Sequence, residues 1–215
     1  MKIAVDRNQL QKGSHAQSNA YNHRMMERAG HELVALPLPY SDYCEVTEEM
    51  QETIDRRGDK LKKADLVGDI KIAVDRKNSI DEICGNVCST TSAHERFRDE
   101  VILAQKCGCK FYVLIEDDKV TSIDDLEKWE NPREKKYFIM KARIAKGYKL
   151  KYPIAKQPPA SGKKLRMILP KQPPASGKKL AKALRTMETK YGVEFVFCKP
   201  EDAAQRIVEL LTKGE

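Results

Sequence analysis

An α/β sandwich with a mixed central sheet is the fold class this 215-residue sequence predicts, and three observations predict it. Short apolar runs of strand length alternate along the chain with longer stretches whose apolar residues recur at helical spacing. Serine caps and glycine stops fall between the two kinds of segment. The length suffices to bury a real core, so one domain carrying an insertion is the natural organisation.

The elements follow in order. Lys2 to Asp6 reads as a strand. Ser14-His-Ala-Gln17 has the Ser-x-x-Gln spacing of a capping box and opens a helix that ends near Gly30. Glu32 to Leu38 gives a second strand, stopped by Pro37 and Pro39. Tyr40 to Lys63 is polar and reads as a loop carrying a helical stretch around Thr47 to Arg57. Ile70 to Asp75 is a short buried strand with Ile72, Ala73 and Val74 as its apolar content. Ser79-Ile-Asp-Glu82 is a second capping box, which puts Asp81 in the first turn of a helix, where an acid complements the dipole. Ala93 to Lys106 is helical, with Phe97, Val101 and Ala104 on one face and Gly108 as the stop. Phe111 to Ile115 is a buried strand ending at Glu116, and Ile123 to Trp129 suggests a short helix anchored by the only Trp.

Arg133 to Pro174 reads as irregular and contains a repeat with a period of fifteen: Lys156-Gln-Pro-Pro-Ala-Ser-Gly-Lys-Lys-Leu165 recurs as Lys171 to Leu180. One pair of identical decamers is too short for a solenoid and reads as a local duplication. The first copy is expected to be an exposed arm or hairpin. The second leads into a helix capped by Ser176, with Leu180, Ala183, Leu184, Met187 and Tyr191 as its apolar stripe. Val193 to Cys198 is a last strand, Pro200 suits the first turn of a helix, and Ala204, Ile207, Val208 and Leu211 form that helix's buried face. The expected division is a core over 1–132, a basic arm over 133–174 and a helix–strand–helix over 175–215 that completes the domain.

Charge is unevenly spread. Arg133 to Lys190 holds 18 Lys and Arg against 2 acids, a local +16, while the rest of the chain carries 22 against 30, or −8. Positive charge concentrated in one segment suits a polyanion. No apolar stretch is long enough to span a membrane and the N-terminus lacks a signal-peptide run, so the expected location is intracellular, cytoplasmic or nucleoid-associated. No Gly-rich loop supports a nucleotide cofactor. The six cysteines lack CxxC spacing and read as small buried thiols, and the four histidines lie away from the acidic motif.

The chemistry concentrates in Gly68-Asp69-Ile-Lys-Ile-Ala-Val-Asp75-Arg76-Lys77. Alternation along a strand points Ala73, Asp75 and Lys77 to one face and Ile72, Val74 and Arg76 to the other. Asp69 is close enough in sequence to converge on the first face through a bend or hairpin. Two carboxylates and a lysine suit a magnesium site, since that hard cation is commonly held by one or two carboxylates plus phosphate and water. The same run also reads as a solvated strand end.

The wider pattern, Gly68-Asp69, Asp75-Arg76-Lys77 and a closing Asp81, resembles the signature of the XPF-type structure-specific endonuclease domain. Lys2-Ile-Ala-Val-Asp6 is similar to that family's first strand, Arg96-Phe97 with Glu100 to its intervening helix, and Tyr112-Val-Leu-Ile-Glu116 to its later strand. Asp75 stands where the family usually has Glu, and Arg7-Asn8-Gln9 departs from its common Asp-x-Arg-Glu. The tandem helix-hairpin-helix module that often follows is not recognisable.

The resemblance implies a three-layer α/β/α sandwich of the restriction-endonuclease-like, PD-(D/E)xK group. It implies a metal-dependent DNA endonuclease with Asp69, Asp75 and Asp6 holding Mg²⁺ or Mn²⁺. Lys77 would act on water or phosphate, with Arg76 and Asp81 completing the catalytic set and Glu116 in second rank. The products would be a 5′-phosphate and a 3′-hydroxyl, and branched or partly single-stranded DNA the usual substrate. Beside such a motif the basic arm becomes a candidate DNA grip through Lys163, Lys164, Arg166, Lys171, Lys178 and Lys179. A homodimer or a similar second subunit is implied as a partner. The alternative is a non-catalytic DNA-binding or scaffolding subunit, and a phage or mobile element fits the compact domain as well as a repair gene does.

Overall fold

The structure, a computed structural model, describes residues 1–10, 16–89, 92–147 and 173–214. The strands are β1 (Lys2–Asp6), β2 (Glu32–Leu36), β3 (Tyr43–Glu45), β4 (Ile72–Lys77), β5 (Lys110–Glu116) and β6 (Glu194–Cys198). They form one mixed sheet in the order β2-β1-β3-β4-β5-β6. β1 and β2 are parallel, as are β4, β5 and β6, and β3 runs antiparallel to both of its neighbours.

Helices cover both faces. On one side lie α1 (Ala16–Arg28) and α7 (Ala203–Leu211), which pack on each other. On the other lie α3 (Ile80–Cys88), α4 (Ser92–Lys106) and α6 (Gly177–Tyr191), with α2 (Glu48–Arg57) contributing Met50 to the same core. The alternation of side chains along β5 divides the two cores. Phe111, Val113 and Ile115 face α3, α4 and α6, whereas Tyr112 and Leu114 join Ile207 and Leu210 of α7.

Local signals account for most helix starts. Thr47, Ser79 and Ser176 each accept the backbone N–H three residues on, which satisfies one of the orphan donors of α2, α3 and α6. Gly192 ends α6 in the left-handed conformation, where a side chain would be strained. Gly177 is required by space rather than by dihedral angle. A Cβ there would collide with the Leu126 carbonyl oxygen and stand 2.5 Å from that of Trp129.

Four expectations shift. The stretch read as loop after Tyr40 contains β3 before α2, three residues too short to leave a period in the sequence. β4 begins at Ile72 and runs on through Lys77, because Asp75, Arg76 and Lys77 pair in register with Val113, Leu114 and Ile115. Residues 132–145, within the stretch expected to be irregular, are helix α5 (Pro132–Ala145), started by Asn131 as cap and Pro132 in its first turn. Between Ile123 and Trp129 the helix is a single 3-10 turn over Asp125–Lys128, and Leu126, fully buried, anchors it. The expected Ser14 cap and the first decamer lie outside the described residues.

Candidate active site

Three adjacent strands bring their acids to one place. β1 ends at Asp6, β4 ends in Asp75-Arg76-Lys77, and Asp42 immediately precedes β3. Since β3 is antiparallel to both neighbours, its beginning lies beside their ends. The Asp42 amide donates to the Val74 carbonyl at 3.1 Å, and the Asp6 amide donates to the Asp42 carbonyl at 2.9 Å. Ala4, Cys44 and Ala73 share one core, so the residues two positions away, Asp6, Asp42 and Asp75, face that same side. They open into a cleft of about 540 Å³ whose lining also includes Lys77, Glu82, Glu100, Lys63 and Arg96.

Lys77 Nζ lies 2.7 Å from Asp75 Oδ2, with both side chains about one-tenth exposed or less. The same ammonium stands 5.3 Å from the centre of the Phe97 ring. Burial disfavours its charge, but Asp75, Asp42 and Glu82 outweigh burial and raise its pKa above the ordinary lysine value. The Asp42 carboxyl is raised as well, which for an acid favours the neutral form. Burial and the neighbouring charge of Asp75 push it up to about 8, against the opposing pull of Lys77 and of the Arg76 amide. Glu100 on α4 is also raised, first by burial and then by Asp75. These carboxylates therefore disfavour one another's charge, on top of the larger effect of burial.

Arg76, though flanked by Asp75 and Lys77, turns its side chain to the opposite face. Its guanidinium pairs with Glu116 of β5 and donates to Ser18 and to Asn19 Oδ1, the last at 2.7 Å. Only its backbone amide serves the cleft, donating to Asp42 Oδ2 at 2.9 Å. Glu116 is thus occupied by Arg76 and does not line the cleft.

The donor set fits a divalent metal. It is all carboxylate oxygen, and among the described residues Asp6 Oδ1 is buried without a hydrogen-bond partner. Such oxygens suit Mg²⁺ or Mn²⁺. Among the described residues no three His, Cys, Asp or Glu side chains form a ready-made cage.

Asp6, Asp75 and Lys77 are brought together; two other expected members are not. Asp69 lies three residues ahead of β4, on its entry side, and does not line the cleft. No hairpin intervenes between Asp69 and Asp75, so the strand carries Asp75 away, by about 10 Å over its first three steps alone. Asp81 is instead paired with Arg133 at 3.3 Å, while its neighbour Glu82 faces the cleft and accepts the Asn78 amide at 3.0 Å. Lys178 and Lys179 are exposed in the first turn of α6, with Lys179 on a separate groove beside Val87 and Met187. Lys163, Lys164, Arg166 and Lys171 lie outside the described residues.

Asp42, Glu100 and Gln9 are members of the cleft that sequence reasoning does not single out as chemistry. Asp42 lies directly across from Asp75. The available signal is an acid between Pro37-Leu-Pro39 and the short apolar start Tyr43-Cys44, but α2 separates it from Asp75 by more than thirty residues.

The chain matches a family model described as the ERCC4 domain over residues 5–211, which is nearly its whole length. No curated protein matches the chain.

Proposed function

The chain belongs to the ERCC4-domain family of XPF-type nuclease domains, and from that premise we propose that it is a divalent-metal-dependent endonuclease hydrolysing phosphodiester bonds in branched or partly single-stranded DNA. The observation that carries the reading is the meeting of Asp42, Asp75 and Lys77 in one cleft. Carboxylate oxygens of Asp42 and Asp75, with Asp6 beside them, would hold Mg²⁺ or Mn²⁺. When bound, such a cation polarises a phosphoryl oxygen and lowers the pKa of water.

The chain's own groups do the rest. Lys77, kept charged by its carboxylate neighbours, donates to the attacking water or to the phosphate oxygen on which charge develops. Glu100, which lines the cleft with its pKa raised above the ordinary value, accepts the proton that water loses. Attack at phosphorus breaks the bond to O3′, leaving a 5′-phosphate and a 3′-hydroxyl. Lys63 and Arg96 at the cleft offset phosphate charge. Six exposed cations in and just after α5 (Arg133, Lys135, Lys136, Lys141, Arg143 and Lys146) and Lys178 and Lys179 supply backbone contacts along the DNA, joined by Lys163, Lys164, Arg166 and Lys171.

The test is cleavage of labelled single-stranded, duplex, flap and four-way-junction DNA in Mg²⁺, in Mn²⁺ and in chelator, with binding measured on the same substrates. Metal-dependent cutting that Asp42→Ala, Asp75→Ala and Lys77→Ala abolish, while binding survives, is the expected result. Binding without cutting in any metal would make the chain a DNA-binding subunit instead.

A further inference from the structure

Asp42 is held by a closed circuit of hydrogen bonds whose direction is dictated by the Arg76 guanidinium at its start. Arg76 Nη1 donates to Asn19 Oδ1 at 2.7 Å. Asn19 Nδ2 donates to Gln9 Oε1 at 2.7 Å and to the Gln9 carbonyl at 3.0 Å. Gln9 Nε2 donates to Asp42 Oδ1 at 2.5 Å. The circuit closes where it began, since the Arg76 amide donates to Asp42 Oδ2 at 2.9 Å.

A guanidinium can only donate, and that alone sets the polarity of the circuit. Asn19 must therefore present its oxygen to Arg76 and its nitrogen to Gln9, and Gln9 must pass the same polarity on to Asp42. Flipping either amide would set two donors or two acceptors face to face. The far end is anchored as well, because Arg76 and Asn19 are both buried and Arg76 is paired with Glu116.

We propose that Gln9 and Asn19 are positioning residues that fix the carboxylate plane of Asp42 for the cation and phosphate it receives, an inference that rests on the nuclease reading above. When Asp42 gives up its proton to a cation, each of its oxygens spends one acceptor site on the circuit and keeps another for a ligand. The partners come from the turn after β1, from α1 and from β4, so three separate elements set one carboxylate. Residues behind a ligand that act in this way typically govern metal affinity by about 10- to 100-fold.

Two variants separate positioning from mere packing. Gln9→Met removes the donor to Asp42 at similar size. Asn19→Asp keeps the acceptor for Arg76 but cannot donate to Gln9, so Gln9 turns its nitrogen to the new carboxylate and offers its oxygen to Asp42. Mn²⁺ binding to the DNA-free protein, followed by electron paramagnetic resonance, and thermal midpoint are measured for both variants and their combination. Cleavage is then titrated with Mn²⁺ on the best DNA substrate. The expected result is Mn²⁺ affinity lower by about 10-fold or more in each single variant, with a parallel rise in the Mn²⁺ needed for half-maximal cleavage. The double variant should be no worse than Gln9→Met alone, because the reversed polarity travels through Gln9. If Gln9→Met does not fold, the Asn19→Asp arm decides. Unchanged Mn²⁺ affinity in variants of a wild type that binds and cuts would overturn the positioning role alone. A wild type that neither binds Mn²⁺ nor cuts DNA would overturn the nuclease reading, and this inference with it.

Discussion

Two ion pairs stand back to back on β4, and they differ in what is left over. On the face covered by α1 and α7, Arg76 and Glu116 are enclosed, and each nitrogen of the guanidinium has a partner, in Glu116, Asn19 or Ser18. On the other face, Asp75 and Lys77 are nearly as buried, yet they open into a cleft shared with Asp42, Asp6 and Glu100. Two cations adjacent in the chain thus divide between a closed pair that holds the sheet and an open pair with capacity for a ligand. Charge and burial do not separate structure from chemistry here; access to a shared cleft does.

Substitutions on the two faces should therefore fail in different assays. Arg76→Met leaves Glu116 buried without a partner and should cost about 3–5 kcal/mol of stability, read by urea unfolding in chelator. Asp42→Asn should leave folding nearly intact and, like Asp75→Asn, which also weakens the buried pair with Lys77, slow cleavage by about 10³-fold, equivalent to about 4 kcal/mol on the barrier. Lys77→Met should slow cleavage by about 10²- to 10³-fold, the scale of one donor to developing charge.

A pH dependence comes next in size. Asp42 has a folded pKa near 8, above its unfolded value, so its protonated form is favoured by the fold. Its contribution is fully present below the unfolded carboxylate value and is lost as pH rises through about 8. Unfolding in chelator should show declining stability across that window, and Mg²⁺ should bind more tightly toward its upper end as the proton ceases to compete. A flat metal-free profile would mean that neither burial nor Asp75 raises the Asp42 carboxyl. The smallest effect belongs to Asp69→Asn, outside the cleft. Its cleavage rate should stay within about twofold of wild type, well below the tenfold that about 1.4 kcal/mol represents. A large loss there would return Asp69 to the site.

What is legible in the sequence follows from range. The face division of β4 is a local consequence of alternation, and it places Asp75 and Lys77 opposite Arg76 without any tertiary information. The caps at Ser79 and Ser176 are equally local. α5 is hidden by its lysines and arginines, which describe a solvated surface whether the backbone is helical or not. β3 is hidden because three residues cannot display a period, and its place between β1 and β4 is decided by pairing across distant segments. With β3 unseen, Asp42 has no strand to stand on, and Gly68-Asp69 offers a nearer acid. Gln9 and Asn19 are not readable at all, since their role depends on which way two amides point.

β3 has a mechanical consequence. Among the described residues it alone joins the parallel pair β2-β1 to the parallel trio β4-β5-β6 within the sheet, and it pairs in register with just three residues of one and two of the other. Asp6 belongs to the first half, Asp75 to the second, and Asp42 to the seam between them. On the reading proposed above, a cation held by Asp42 and Asp75 would fasten the seam to the second half, adding stability that grows with the logarithm of its concentration above Kd. Amide hydrogen exchange at Tyr43, Cys44 and Glu45 should therefore slow when Mg²⁺ is added, while exchange in the interior of β5 stays as it was.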